Sequence, residues 1–132
     1  MNQKLLIACA ALVAIASACN KSSSEPAAGR AGTGPAPEVA EADQLFSMRC
    51  SPCHGATGAG DGSASAALNP KPRNFHDKSW QTSVADEQIE KIIREGGTAV
   101  GKSPGMPPNP DLVSKPLVIR ALVAKIRGLS TP

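Results

Sequence analysis

The chain has no tyrosine, two phenylalanines and one tryptophan among its 132 residues. Aromatic side chains supply much of the buried area of an ordinary small core, so an interior built on them is excluded and the volume must come from elsewhere. Long apolar runs are missing as well. Residues 5–15 form a run of 11, short of the ~20 that a membrane-crossing helix needs. Neither sign of charge dominates: 14 Lys and Arg stand against 11 Asp and Glu, a formal +3. A balance this close argues against a nucleic-acid partner. There are four cysteines, and two of them, Cys9 and Cys19, fall in the N-terminal segment. That leaves too few for a disulfide framework in the rest of the chain. No stretch alternates apolar and polar residues for more than a few positions, which excludes a half-buried sheet. Paired carboxylates and an activated serine are absent too, so nothing announces hydrolytic or acid–base catalysis.

What is present centres on Cys50-Ser51-Pro52-Cys53-His54. Two cysteines three positions apart can each form a thioether to one side of a macrocycle, while the adjacent histidine is placed to bind its iron. This C-x-x-C-H spacing is the attachment pattern of c-type haem. A redox dithiol fits less well, because His54 and the downstream sequence match haem attachment better. A zinc site fits less well again, because no second Cys or His pair follows at a recurring spacing.

The N-terminus divides from the rest. Lys4, the apolar run and Ala16-Ser17-Ala18 read as a secretory signal peptide over residues 1–18, and hence as an exported chain. The small-residue triplet runs straight into Cys19 and resembles a bacterial lipobox, whose cysteine becomes the lipidated first residue. An ordinary A-x-A cleavage site is the other reading. Residues 19–37 are rich in Ser, Ala, Gly and Pro, and such a segment buries too little to offset the entropy of ordering it. As a flexible tether, about 18 residues span roughly 24 Å root-mean-square. The expected mature protein is therefore a domain over residues 38–132 on the periplasmic side, held at a membrane by a lipid on Cys19. Asn20 rather than aspartate after that cysteine points mildly to the outer membrane.

Within residues 38–132 three segments carry helical periodicity. Residues 38–53 place Val39, Ala42, Leu45, Phe46 and Arg49 near one face, with Pro37 suited to the first turn. Residues 84–95 carry the stripe Ile89, Ile92 and Ile93, with Ser83 as expected N-cap and Gly96 as the stop. A third helix starts near Ser114, holds Pro116 in its first turn, aligns Ile119, Leu122, Val123 and Ile126, and stops at Gly128. The expected fold is all-α: three main helices and long loops wrapped around one covalently attached haem. The loops, residues 55–79 and 97–110, are long enough to require a function, and lining a flat cofactor is one.

A low-spin haem needs a second axial ligand, for which Met48, His76 and Met106 are the candidates. Met48 lies on the attachment helix and cannot reach round to the distal side. His76 sits in a polar loop, where a solvated side chain is the simpler reading. Met106, in Ser103-Pro104-Gly105-Met106-Pro107-Pro108, lies in a segment stiffened by prolines. His54 and Met106 together make the ligand pair that raises the reduction potential above that of bis-histidine haem.

With these residues in view, the chain resembles class I bacterial cytochrome c over roughly residues 39–129. Besides Cys50, Cys53, His54 and Met106, the likeness includes the aromatic Phe46 four positions before the first cysteine and the small Ala42 eight before it. A C-terminal helix resembling residues 121–127 completes it. The resemblance implies that the first and last helices cross, Ala42 allowing close approach. Where the family commonly has an aromatic residue this chain has Lys125, whose stem could cover the same contact. It further implies that a proline-containing segment, here Leu68-Asn69-Pro70, receives the second N–H of His54. Trp80 fits either a place beside the haem or simple packing. Arg73 fits either a haem propionate or solvent.

The function this implies is single-electron transfer by haem c, with no enzyme chemistry. Redox proteins such as a quinol-oxidising complex, a terminal oxidase or a reductase would be the partners. Lys71, Arg73, Lys78 and Lys102 lie in the expected haem-side loops and suit an acidic partner. Two readings compete. One is a sensor or haem enzyme with a displaceable sixth ligand; the other is a haem module permanently tethered beside an oxidase or reductase.

Overall fold

A computed structural model describes residues 35–130. The expected signal peptide, Cys19 and nearly all of the expected linker lie outside these residues. Among the described residues there is no β-strand, and no helix is long and apolar enough to cross a membrane.

Helix α1 (Pro37–Leu45) opens with proline at its first position and Glu38 in its first turn, where a missing N–H costs nothing and a carboxylate meets the positive end of the helix. It runs without a break into a π-helical turn, Phe46–Cys50, closed by the Ser51 N–H donating to the Phe46 carbonyl. Helix α2 (Ser51–His54) continues to the histidine. Such wide turns are rare and concentrate at functional sites. Periodicity cannot reveal one, so the single expected helix is instead a helix with its last turns rotated.

Helix α5 (Pro116–Gly128) buries Val118, Ile119, Leu122, Val123 and Ile126, a stripe at i, i+3, i+4 and i+7 spacing. It packs across α1 and also against α4 (Asp86–Glu95). At the α1–α5 crossing Ala42 is 2 % exposed, flanked in the core by Leu45 and Phe46. Lys125 covers Phe46 there, its ammonium 5.2 Å from the ring centroid and 2.8 Å from Asp43 Oδ1. The lysine thus replaces an aromatic contact with a cation over a ring, tied down by a carboxylate.

Two expectations need correction between α2 and α4. The loop expected to run to residue 79 gives way at Lys78 to a short helix, α3 (Lys78–Ser83), started by Asp77, whose Oδ1 accepts the Trp80 N–H at 3.1 Å. Ser83 does not cap α4, which has no side-chain cap; its hydroxyl donates to the Trp80 carbonyl at 3.0 Å. The junction is held from α5 instead. Arg127 donates to the carbonyls of Gln81 and Val84 and to Asp86 Oδ1. It serves both helix ends at once from more than 40 residues away.

Candidate functional site

The π turn, helices α2 to α5 and the two loop segments line a cavity of about 540 Å³, within the roughly 300–1,000 Å³ typical of small-molecule and cofactor sites. Cys50, Cys53, His54 and Met106 all line it. Met48 is 67 % exposed, and His76 is exposed and does not reach the cavity. Among the described residues no group of three or more His, Cys, Asp or Glu is arranged to hold a free metal ion.

The π turn decides which side chains α1 and α2 turn inward: Phe46 goes into the core while Cys50, four residues on, lines the cavity. Both cysteines are half-buried, and neither is in a disulfide. Burial pushes the Cys50 thiol up to about 11, with neighbouring Arg49 pulling the other way.

His54 is fixed by the loop that follows it. Its Nδ1 lies 3.1 Å from the Arg73 carbonyl oxygen. A carbonyl can only accept, so Nδ1 carries the proton and Nε2 is left with its lone pair. This corrects the expectation that Leu68-Asn69-Pro70 would supply the acceptor; Leu68 and Pro70 form cavity wall instead. The loop folds back on itself before its carbonyl reaches His54. Phe75 N–H donates to the Gly58 carbonyl and Gly60 N–H to that of His54, both at 2.7 Å. A Cβ on Gly60 would stand 2.7 Å from the Pro72 carbonyl oxygen, so only glycine lets residues 72–73 approach this closely. The imidazole also stacks on Phe75, with ring centroids 4.5 Å apart and planes 12° from parallel. Burial holds His54 below the ordinary histidine value, opposed by its bond to Arg73. The ring is therefore neutral at neutral pH, as a metal-binding imidazole must be.

Met106 is carried on a strap hung from the end of α4. The last carbonyls of a helix have no partner within it, and here the strap supplies them: Asn109 Nδ2 donates to Ile93 O at 2.8 Å and Asn109 N–H to Arg94 O at 3.0 Å. Gly97 N–H donates in turn to the Met106 carbonyl at 3.0 Å. Gly96 makes this possible with φ of +79° and no Cβ; one added there would sit 2.9 Å from Met106 O. Asn109 was not singled out from the sequence. A lone amide inside a proline-rich run was the available signal.

Trp80 lines the cavity and tilts against Phe75 at 5.7 Å between centroids. Arg73 lies 5.7 Å over the Trp80 ring and 3.4 Å from Asp77. Ile89, Ile92 and Ile93 face the cavity from α4. This set fits a haem. Two thiols sit at attachment spacing beside a neutral, oriented imidazole, a thioether shares the same cavity, and apolar walls complete it. Among the described residues no buried side-chain polar atom lacks a hydrogen-bond partner.

A family model, Cytochrome c, matches residues 39–126. No curated protein matches the chain.

Proposed function

Because the chain belongs to the cytochrome c family and its cofactor is covalent haem c, we propose that it is a single-electron carrier whose haem is attached at Cys50 and Cys53 and ligated by His54 and Met106. A haem-c electron-transfer role follows from the family, whose members are typically electron carriers. When bound, haem supplies a one-electron couple on an iron that keeps its ligands through the cycle. Cys50 and Cys53 anchor it. His54 offers Nε2 with its tautomer fixed by the Arg73 carbonyl, a bond that also raises ligand basicity. Met106 would supply the remaining ligand, a thioether that raises the potential. Ile89, Ile92, Ile93 and Trp80 keep water from the site. The observation that carries this reading is the lining of one cavity by all four expected residues.

The test is the optical spectrum of the purified holoprotein, oxidised, reduced, and reduced under carbon monoxide. A low-spin spectrum with the weak red-edge band of methionine–ferric coordination, indifferent to carbon monoxide and lost in Met106→Ala, is expected. High-spin haem, or ready carbon monoxide binding by the unmutated protein, would move the reading to ligand sensing or catalysis.

Family members are typically exported or periplasmic, and we read this chain as lipid-anchored at Cys19 on the periplasmic side. Mass spectrometry of the mature N-terminus tests that: an unmodified residue after cleavage would sink it. The partners are read as acidic redox proteins such as a quinol-oxidising complex, terminal oxidase or reductase. Lys71, Arg73 and Lys102 line the cavity, and Lys78 does not. Lys71 bonds only to the neutral Ser65 and Ala66 carbonyls and keeps its charge, whereas Arg73 is offset by Asp77, leaving Lys71 and Lys102 as the main steering charges. Electron-transfer rates should fall as salt screens them, and rates flat in ionic strength would remove the acidic-partner reading.

A further inference from the structure

Arg49 stands directly before Cys50, within the π turn, and its side chain crosses to another part of the molecule. Its Nη1 donates to Asn109 Oδ1 at 3.2 Å and to Asp111 Oδ1 at 2.9 Å, residues 60 and 62 positions away. Both acceptors belong to the strap that carries Met106. Arg49 and Asn109 also line the same cavity as Cys50 and Met106. Asn109 is thus held from two sides, by Arg49 through its oxygen and by the Ile93 carbonyl through its nitrogen. Beyond Asp111 the strap is anchored by Leu112, which is 1 % exposed.

We propose that Arg49 is a positioning residue for the distal ligand: a clasp that holds the Met106 strap against the attachment segment and so keeps the methionine from yielding to external ligands. The proposal rests on Met106 being the second axial ligand. One guanidinium nitrogen serving two acceptors two residues apart constrains both the distance and the register of the strap. A lysine ammonium can also serve two acceptors, but without the fixed plane of the guanidinium it constrains them less. The side chains of Arg49 and Asp111 are 44 % and 49 % exposed, and such a pair contributes little to global stability. What Arg49 controls is alignment. Without it the strap keeps its bonds to α4 and loses its link to Cys50.

The experiment uses the full holoprotein, its Arg49→Leu and Arg49→Lys variants, and carbon monoxide as probe. The red-edge band of the ferric unmutated protein is recorded first; its absence there sinks the Met106 reading itself, whatever Arg49 does. With the band present, Arg49→Leu is expected to speed carbon monoxide binding to the reduced protein about fivefold, the upper end for a half-exposed pair. The ferric band should weaken while the thermal midpoint hardly moves, and Arg49→Lys should recover part of the difference. Unchanged carbon monoxide kinetics in Arg49→Leu overturn the clasp. If that variant does not load haem, Asp111→Ala is read by the same assay, and unchanged kinetics there overturn it equally.

Discussion

The helical frame and the loop walls of this domain are held together in different ways. Most of the buried apolar side chains lie on α1 with its π turn, α4 and α5: Ala42, Leu45 and Phe46, Ile89 and Ile93, and five residues of α5. The walls add Phe75 and Leu112, and Val84 sits at the junction of α3 and α4. They hold their course through backbone hydrogen bonds, Phe75 to Gly58, Gly97 to Met106 and Asn109 to Arg94. Much of their apolar surface, Leu68, Pro70, Pro72, Met106 and Pro107, faces the cavity. The frame gives Ile89, Ile93 and Ile126 to the cavity but also packs α1 against α5 away from it, whereas the walls depend more on what fills the cavity. Stability and ligand control should be separable along this line.

The largest effect tests the frame. Ile119 is 1 % exposed and lines no part of the cavity. Ile119→Ala should cost about 2–5 kcal/mol in denaturant unfolding of the holoprotein. The folded fraction should keep the spectrum and carbon monoxide response of the unmutated protein. A variant that unfolds at nearly the original denaturant concentration but binds carbon monoxide freely would erase the division between frame and walls.

A smaller energetic effect with a larger local one is expected at Gly96. An alanine there must adopt φ near +79° and push against the Met106 and Pro108 backbone, a strain of about 1–3 kcal/mol. Because the strap is the part able to give, the ferric red-edge band should weaken more than the unfolding midpoint falls. If Gly96→Ala lowers stability as much as Ile119→Ala and leaves the band intact, the strap is as rigid as the frame and the comparison fails in the opposite sense.

The frame was also the more legible half. The stripe on α5, the end of α4 at Gly96 and the C-x-x-C-H spacing are signals carried within a dozen residues, where helical period and glycine chemistry are readable. Less was legible wherever a distant partner decides the outcome. The π turn leaves no period of its own, and the end of α3 is tied down by Arg127, 46 positions from Gln81. The acceptor for His54 turned out to be the Arg73 carbonyl, because glycines fold the loop back before it arrives. The Arg49 clasp, reaching across 60 and 62 residues, had no local signature at all. The readings of the N-terminal segment rest on sequence alone.

The smallest effect sharpens the boundary where frame and wall meet, at Arg49 and Asp111. The guanidinium beside Asp111 holds its carboxyl below the usual carboxylate value, and the same pair raises Arg49. A carboxyl depressed in the folded state binds its proton more weakly there than in the unfolded chain. It therefore contributes stability at pH above its unfolded value, and that contribution is lost as pH falls through the folded one. The difference in unfolding free energy between the unmutated protein and Arg49→Leu should accordingly be constant from neutrality down to about pH 4 and close below it. It should also shrink with salt, as an exposed pair does. A difference that persists undiminished at the acid limit would mean that Arg49 acts through its stem packing rather than its charge. The clasp would then be an extension of the frame rather than a hold on the wall.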